Sequence, residues 1–264
     1  MRPSLRSEKC PVGKVSGMRL IMPMAGLGTR TSDQFEQPKP FIPIEGHPLF
    51  AYALTSLPLS YVNEVEFVMS EQNFNFLNGK VEETFAPYVP QGMDWSVVTT
   101  PPTRGQASTV EHALLKRQLD EQPILIASSD TIATGGFGFD LDECDGALGL
   151  FRSKNPGMSF AKVLDDKVVE TAEKRVISDR ASSGVYYFRD GGSFIRALRA
   201  SEQQQETYVA PLYNFIIQSG GVVKYWSHGE VIPLGVTAEI LAFNARSYKT
   251  KLDLMVANWR NVVS

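Results

Sequence analysis

The segment 18–30, Met-Arg-Leu-Ile-Met-Pro-Met-Ala-Gly-Leu-Gly-Thr-Arg, restricts the folds open to this chain more than any other stretch. An apolar run (Leu20, Ile21, Met22) stops at Pro23, and a small-residue loop carries Gly26 and Gly28 into Arg30. The pattern predicts a buried strand ending in a turn where backbone N–H groups converge on an anion without obstruction from a Cβ. Arg30 adds a bidentate fork for phosphate, and Lys39, nine residues on, adds a compact point charge. Pro38 and Pro40 flank that lysine and forbid a helix. A dinucleotide-binding G-x-G-x-x-G loop needs a helix there, so it is excluded. The absence of G-x-x-x-x-G-K-[ST] excludes a P-loop. The segment is therefore built to hold a polyphosphate in a third way.

Apolar runs recur behind it with amphipathic stretches between them. Strands are expected at 18–24, 65–69, 95–99 and 124–127, and helices at 48–57, 73–85 and 106–118. This alternation argues for an α/β protein with a mainly parallel, Rossmann-like sheet and helices on both faces. Ligands of such sheets bind beyond the carboxyl ends of the strands. The glycine loop, the segment 100–105 and Asp130 all fall at that end. The second half changes character. Strands at 147–152, 159–164, 168–173 and 184–188 are separated by short turns, which suggests an antiparallel extension of the same sheet. Helices are expected at 193–202, 208–218 and 238–258, with a strand at 222–226. The expected organisation is an extension at residues 1–17, basic and disordered, followed by one domain at 18–264. The change of character near residue 140 is a change of role within that one domain.

Bulk properties narrow the class further. A formal net charge of −3 offers no basic face for nucleic acid or a membrane surface. No apolar run approaches the roughly 18 residues of a membrane span. Two cysteines, Cys10 and Cys144, are too few for a disulfide framework, which points to a reduced, cytoplasmic setting. His47, His112 and His228 lack metal-ligand spacing.

The combination of Ala25-Gly26-Leu27-Gly28-Thr29-Arg30 with Pro38-Lys39-Pro40 resembles the signature of the sugar-phosphate nucleotidylyltransferases. The resemblance continues in order down the chain, from about residue 18 to 242. Gly105-Gln106-Ala107 is similar to the family's nucleotide-contacting loop, and Ser129-Asp130 to its metal-binding aspartate. Glu173-Lys174 is similar to the pair that grips the acceptor, and Ser183-Gly184-Val185-Tyr186-Tyr187-Phe188 to the strand lining the acceptor pocket. The resemblance implies attack of an acceptor phosphomonoester on the α-phosphorus of a nucleoside triphosphate, expelling pyrophosphate. Arg30 with the Gly26–Thr29 backbone would hold the leaving phosphates beside a nucleotide-binding Ala25, Lys39 the α-phosphate, Lys174 the attacking phosphate and Asp130 a Mg²⁺ ion. Glu173 and Gly184 would line the acceptor site, and Thr100, Gly105 and Gln106 would meet the nucleotide. The resemblance implies a pyrimidine nucleoside triphosphate meeting the 18–140 half, a sugar 1-phosphate or other phosphomonoester meeting the 141–264 half, and surface-polysaccharide or nucleotide-sugar synthesis as the setting.

Read without the resemblance, Asp130 serves equally as a turn cap and Glu173-Lys174 as a solvated charge pair. The chain also departs from the family at two points. The second metal aspartate is replaced by Pro233, with Glu230 the nearest carboxylate in that segment. The base-reading glutamine is replaced by Thr100. These departures keep a second class of function open, a non-catalytic nucleotide-sugar sensor of the same fold, and leave base, acceptor and oligomeric state unread.

Overall fold

The computed structural model describes residues 17–26, 28–118, 121–138, 140–201 and 206–263. Residues 1–16 of the expected extension, Leu27 and Glu202 lie outside them. In chain order the first half holds β1 (Met18–Met24), the short β2 (Pro43–Ile44) and β3 (His47–Pro48), and α1 (Leu49–Ser56). It continues with β4 (Val62–Ser70), α2 (Glu71–Phe76), α3 (Val81–Phe85), β5 (Asp94–Thr100), α4 (Gln106–Lys116) and β6 (Ile124–Ala127). The second half begins with β7 (Thr131–Thr134), β8 (Gly146–Arg152), β9 (Ser159–Leu164), β10 (Lys167–Glu173) and β11 (Arg180–Phe188). Then follow α5 (Gly191–Ala200), α6 (Tyr213–Gln218), β12 (Val223–Ser227), β13 (Glu230–Pro233), α7 (Thr237–Ala242) and α8 (Arg246–Val263).

Nine strands form one sheet in the order β10-β9-β11-β6-β1-β4-β5, with β8 joined to β11 and β12. The β6-β1-β4-β5 part is parallel and β11 pairs antiparallel with β6, so the expected antiparallel extension joins the parallel half in one sheet. β1 is the spine. Leu20 and Met22 sit in one core cluster and Ile21 in the other, all without exposed surface, because alternate side chains face opposite helix layers. Burying each such side chain stabilises the fold by roughly 1.5–3 kcal/mol. Pro23 is tolerated inside β1 because β6 pairs only with Arg19–Ile21, leaving the proline a partner strand on one side. Tyr186, Tyr187 and Phe188 are all buried and alternate between the same two cores.

Three helices expected as single pieces are broken. The stretch 73–85 divides at Asn78 and Gly79, both with left-handed φ (48° and 80°), giving α2 and α3. The stretch 208–218 becomes helical only from Ala210, first as a single 3₁₀ turn and then as α6. The stretch 238–258 divides at Phe243, which is extended, into α7 and α8. α8 packs on its own domain: Leu252 is buried, and Asp253 pairs with His47 at 3.0 Å. The β7–β13 ladder was not expected at all, and it shapes the site.

Candidate active site

The loop after β1 is fixed by glycine geometry and by short-range bonds. Gly28 has φ +65°, a region that L side chains rarely adopt, and its carbonyl accepts from both the Thr31 N–H and hydroxyl at 2.9 Å. A Cβ on Gly26 would meet nothing within 4 Å, so that backbone is open to an approaching anion. Asn73 at the start of α2 donates to the Met24 carbonyl at 2.7 Å and holds the strand end. Arg30 is exposed, and the Thr237 hydroxyl at the start of α7 donates to its carbonyl at 3.3 Å. Ala25 and Thr29 border the same loop.

Lys39 opens a single 3₁₀ turn, Lys39–Phe41, whose Pro40 and Phe41 are buried. Phe41 packs against Phe50, Phe76 and Phe85, which fixes where the lysine starts. Its ammonium donates to the Asp130 carboxylate and to the Gly235 carbonyl at 2.8 Å. Glu239 sets that carbonyl: one of its oxygens accepts from the Gly235 and Val236 N–H groups at 2.7 and 3.1 Å. Two segments remote in sequence thus converge on Lys39.

Glu173 and Gly184, two of the residues expected at the acceptor, border a cavity of about 210 Å³ with Gln106, Thr131, Tyr208 and Pro233 among others, while Lys174 is not part of its lining. Gly184 has φ +81°, and a Cβ there would approach the Ser128 hydroxyl to 2.6 Å. Gln106 donates to that same hydroxyl at 3.1 Å. Burial pushes the Glu173 carboxyl above the usual range, opposed by a hydrogen bond from Ser159 and by the Lys174 charge. Lys174 takes a left-handed φ of 51°, its N–H donates to Met158, and its ammonium reaches the Tyr208 hydroxyl at 2.5 Å.

Thr100 does not reach the cleft. It is buried, and its hydroxyl donates to the Pro101 carbonyl at 3.1 Å. Gly105, by contrast, is tightly placed: φ is +145° and a Cβ would lie 2.5 Å from the Thr207 carbonyl oxygen. Tyr208, Ser159, Glu239 and the partnership of His228 with Ser183 of the motif strand escaped sequence reading. His228 accepts from or donates to Ser183 at 2.8 Å and lies 3.2 Å from the Thr134 carbonyl. Only the topology brings Ser159 and Tyr208 to the cavity wall and His228 behind Ser183, and their local sequences carry no motif.

Among the described residues no three His, Cys, Asp or Glu side chains group as a metal cage. Pro233 pairs with Thr131 across the β13–β7 ladder, and Val231 and Pro233 border the cavity. Strand alternation turns Glu230 to the other face, where its carboxylate accepts from Tyr248. Glu230 is therefore no substitute for the missing aspartate. Asp130 remains, its Oδ1 accepting from the Thr131 hydroxyl at a long 3.4 Å. A single half-open carboxylate suits Mg²⁺, which keeps waters and substrate phosphates as its other ligands.

No protein-family model and no curated protein sequence matches the chain. Solved structures do. A nucleoside-diphosphate-sugar pyrophosphorylase from Vibrio cholerae is 28% identical with a TM-score of 0.71, over 84% of this chain and 98% of that one. An inositol-1-phosphate CTP transferase from T. maritima shares the fold at 19% identity and TM-score 0.70, over 89% and 96%. A UDP-glucose pyrophosphorylase bound to UDP-glucose does so at 13% identity and TM-score 0.69, over 89% and 99%. The chain thus shares the fold of these nucleotide-sugar pyrophosphorylases and nucleotidyltransferases, and the order of its motifs agrees with that likeness.

Proposed function

We propose that the protein transfers a nucleoside monophosphate, most simply a pyrimidine one, from its triphosphate to a sugar 1-phosphate or related phosphomonoester. An acceptor phosphate oxygen bonds to the α-phosphorus while the bond to the β-bridging oxygen breaks, and pyrophosphate leaves. The observation that carries this reading is the placement of Lys39. It is bracketed by Gly28 of the open loop on one side and by Asp130 on the other, whose neighbour Thr131 borders the acceptor cavity.

The chemistry asks for positioning and charge neutralisation more than for a covalent nucleophile. The backbone of residues 25–29 and the Arg30 fork hold the leaving β- and γ-phosphates. Lys39 exchanges Asp130 for the α-phosphate, where charge grows in the transition state. Gly105 and Gln106 meet the nucleoside, and Thr100 serves by packing, since its hydroxyl is committed to Pro101. Glu173 and Gly184 shape the acceptor pocket and Lys174 steadies the attacking phosphate. Asp130 would hold Mg²⁺, which neutralises phosphate charge when bound.

Pyrophosphate release, screened over CTP, UTP, dTTP, ATP and GTP against a panel of sugar and polyol phosphates with Mg²⁺, tests the proposal. Release with at least one pair supports it. Silence across the panel, with nucleotide binding retained, supports the sensor reading that Pro233 favours.

A further inference from the structure

Residues 206–208 cross from one half of the site to the other. Thr207 is buried and riveted to the Gly105 loop. Its N–H donates to the Arg104 carbonyl at 2.9 Å, its carbonyl accepts from Ala107 at 3.1 Å, and its hydroxyl accepts from the Ser108 N–H at 3.1 Å. Gly105 has no Cβ because this backbone passes too close for one. On either side of Thr207, Glu206 and Tyr208 meet Lys174.

The meeting is a compact three-residue cluster. The Tyr208 hydroxyl donates to Glu206 and accepts from the Lys174 ammonium at 2.5 Å. The ammonium also lies 4.6 Å from the Tyr208 ring centroid and 3.5 Å from the Glu206 carboxylate. Both charged side chains are more than half exposed, at 55% and 58%, so their attraction is weak and readily exchanged. A phosphate dianion offers more charge and more acceptor oxygens than a carboxylate. Tyr208 and Glu173 border the same cavity, so that exchange would occur at its edge.

Resting on the proposed transfer reaction, we infer that Glu206 holds the place on Lys174 and Tyr208 that the acceptor's phosphate takes. Tyr208 is then an acceptor-binding residue, its hydroxyl turning from Glu206 to a phosphate oxygen. Glu206 screens the lysine until that phosphate arrives. Because Thr207 lies between the two and is bonded to the Gly105 loop, displacement of Glu206 is felt where the nucleoside binds.

Titration calorimetry of inorganic phosphate into the full chain tests this at fixed ionic strength. The wild type is compared with Glu206→Gln and Tyr208→Phe, and Lys174→Ala measures phosphate bound elsewhere. Glu206→Gln should bind phosphate about threefold tighter, and Tyr208→Phe about threefold more weakly, as expected for exchange of one exposed ion pair or hydrogen bond. Unchanged or weaker binding by Glu206→Gln, or unchanged binding by Tyr208→Phe, overturns the inference. MgCTP and MgUTP titrated into the same proteins separate the two proposals. Loss of nucleotide binding from all of them would sink the transfer reading, while the phosphate series would still judge the anion site by itself.

Discussion

Lys39 and Asp130 stand 91 residues apart in the chain, yet their side chains form an ion pair that the Gly235 carbonyl completes at 2.8 Å. The lysine side chain is 13% exposed and the aspartate 28%, so neither charge is well solvated. Two such groups held together at a cleft are costly unless an anionic ligand or a metal also uses them. Lys39→Ala and Asp130→Asn should each lower pyrophosphate release by about 10²–10³-fold, the scale of losing one transition-state charge contact. Far-ultraviolet circular dichroism should match the wild type, because Phe41 and not Lys39 anchors the turn. Near wild-type rates in both variants would remove this pair from the mechanism.

Gly105→Ala tests the close approach between the Gly105 loop and the 206–208 segment. The new methyl would lie 2.5 Å from the Thr207 carbonyl oxygen and 2.9 Å from its nitrogen, and backbone cannot rotate away as a side chain can. The cost should be about 2–4 kcal/mol in urea unfolding, combining the unfavourable φ with the clash. Gly79→Ala is the control. It shares a left-handed φ, +80°, but its Cβ would point into open space, so only about 1 kcal/mol is expected. Equal costs for the two would show that the contact with Thr207 is slack.

The main strands were legible because burial on both faces leaves an unbroken apolar signature. Met18–Met24 and Ile124–Ala127 have the bounds read from sequence, and Arg180–Phe188 is longer only by its polar first half. The β7–β13 ladder was hidden, since Thr-Ile-Ala-Thr reads as a turn and Pro233 argues against a strand. That ladder is what turns Glu230 away from the cleft, a fact of strand parity that spacing in sequence cannot supply. Gly28, Lys39 and Asp130 were legible as a group through their motifs, and the structure brings the three together. Tyr208 and Glu239 were not, because each acts through a contact made only after the chain returns to the site.

His228 makes the cavity wall sensitive to acid. Burial holds its pKa below the usual histidine value, so the folded chain keeps the ring neutral between Ser183 and the Thr134 carbonyl. The unfolded chain gains a proton as pH falls through about 6.5, and the folded chain does not until lower pH. Stability present above that value is therefore lost progressively on acidification. His228→Gln keeps the length and polarity of the side chain without the titration. The thermal midpoint of the wild type should fall more steeply between pH 7 and 5 than that of the variant. Parallel curves would show that His228 contributes nothing to the pH dependence.

Pro233→Asp tests what the missing carboxylate does. Position 233 lies directly across the ladder from Thr131, the Leu234 N–H donates to the Asp130 carbonyl at 2.8 Å, and the residue borders the cavity. An aspartate there would share a face with the cleft and stand beside Asp130, unlike Glu230, whose carboxylate is on the opposite face with Tyr248. Two carboxylates should hold a divalent ion without help from triphosphate, where one does so poorly. Mn²⁺ binding without nucleotide, followed by electron paramagnetic resonance, should tighten by about tenfold in Pro233→Asp. Glu230→Gln should leave that affinity unchanged. Tightening that disappears when Asp130→Asn is added would tie both positions to one ion. If Pro233→Asp binds Mn²⁺ no better than the wild type, the proline marks a site whose metal is set by other groups.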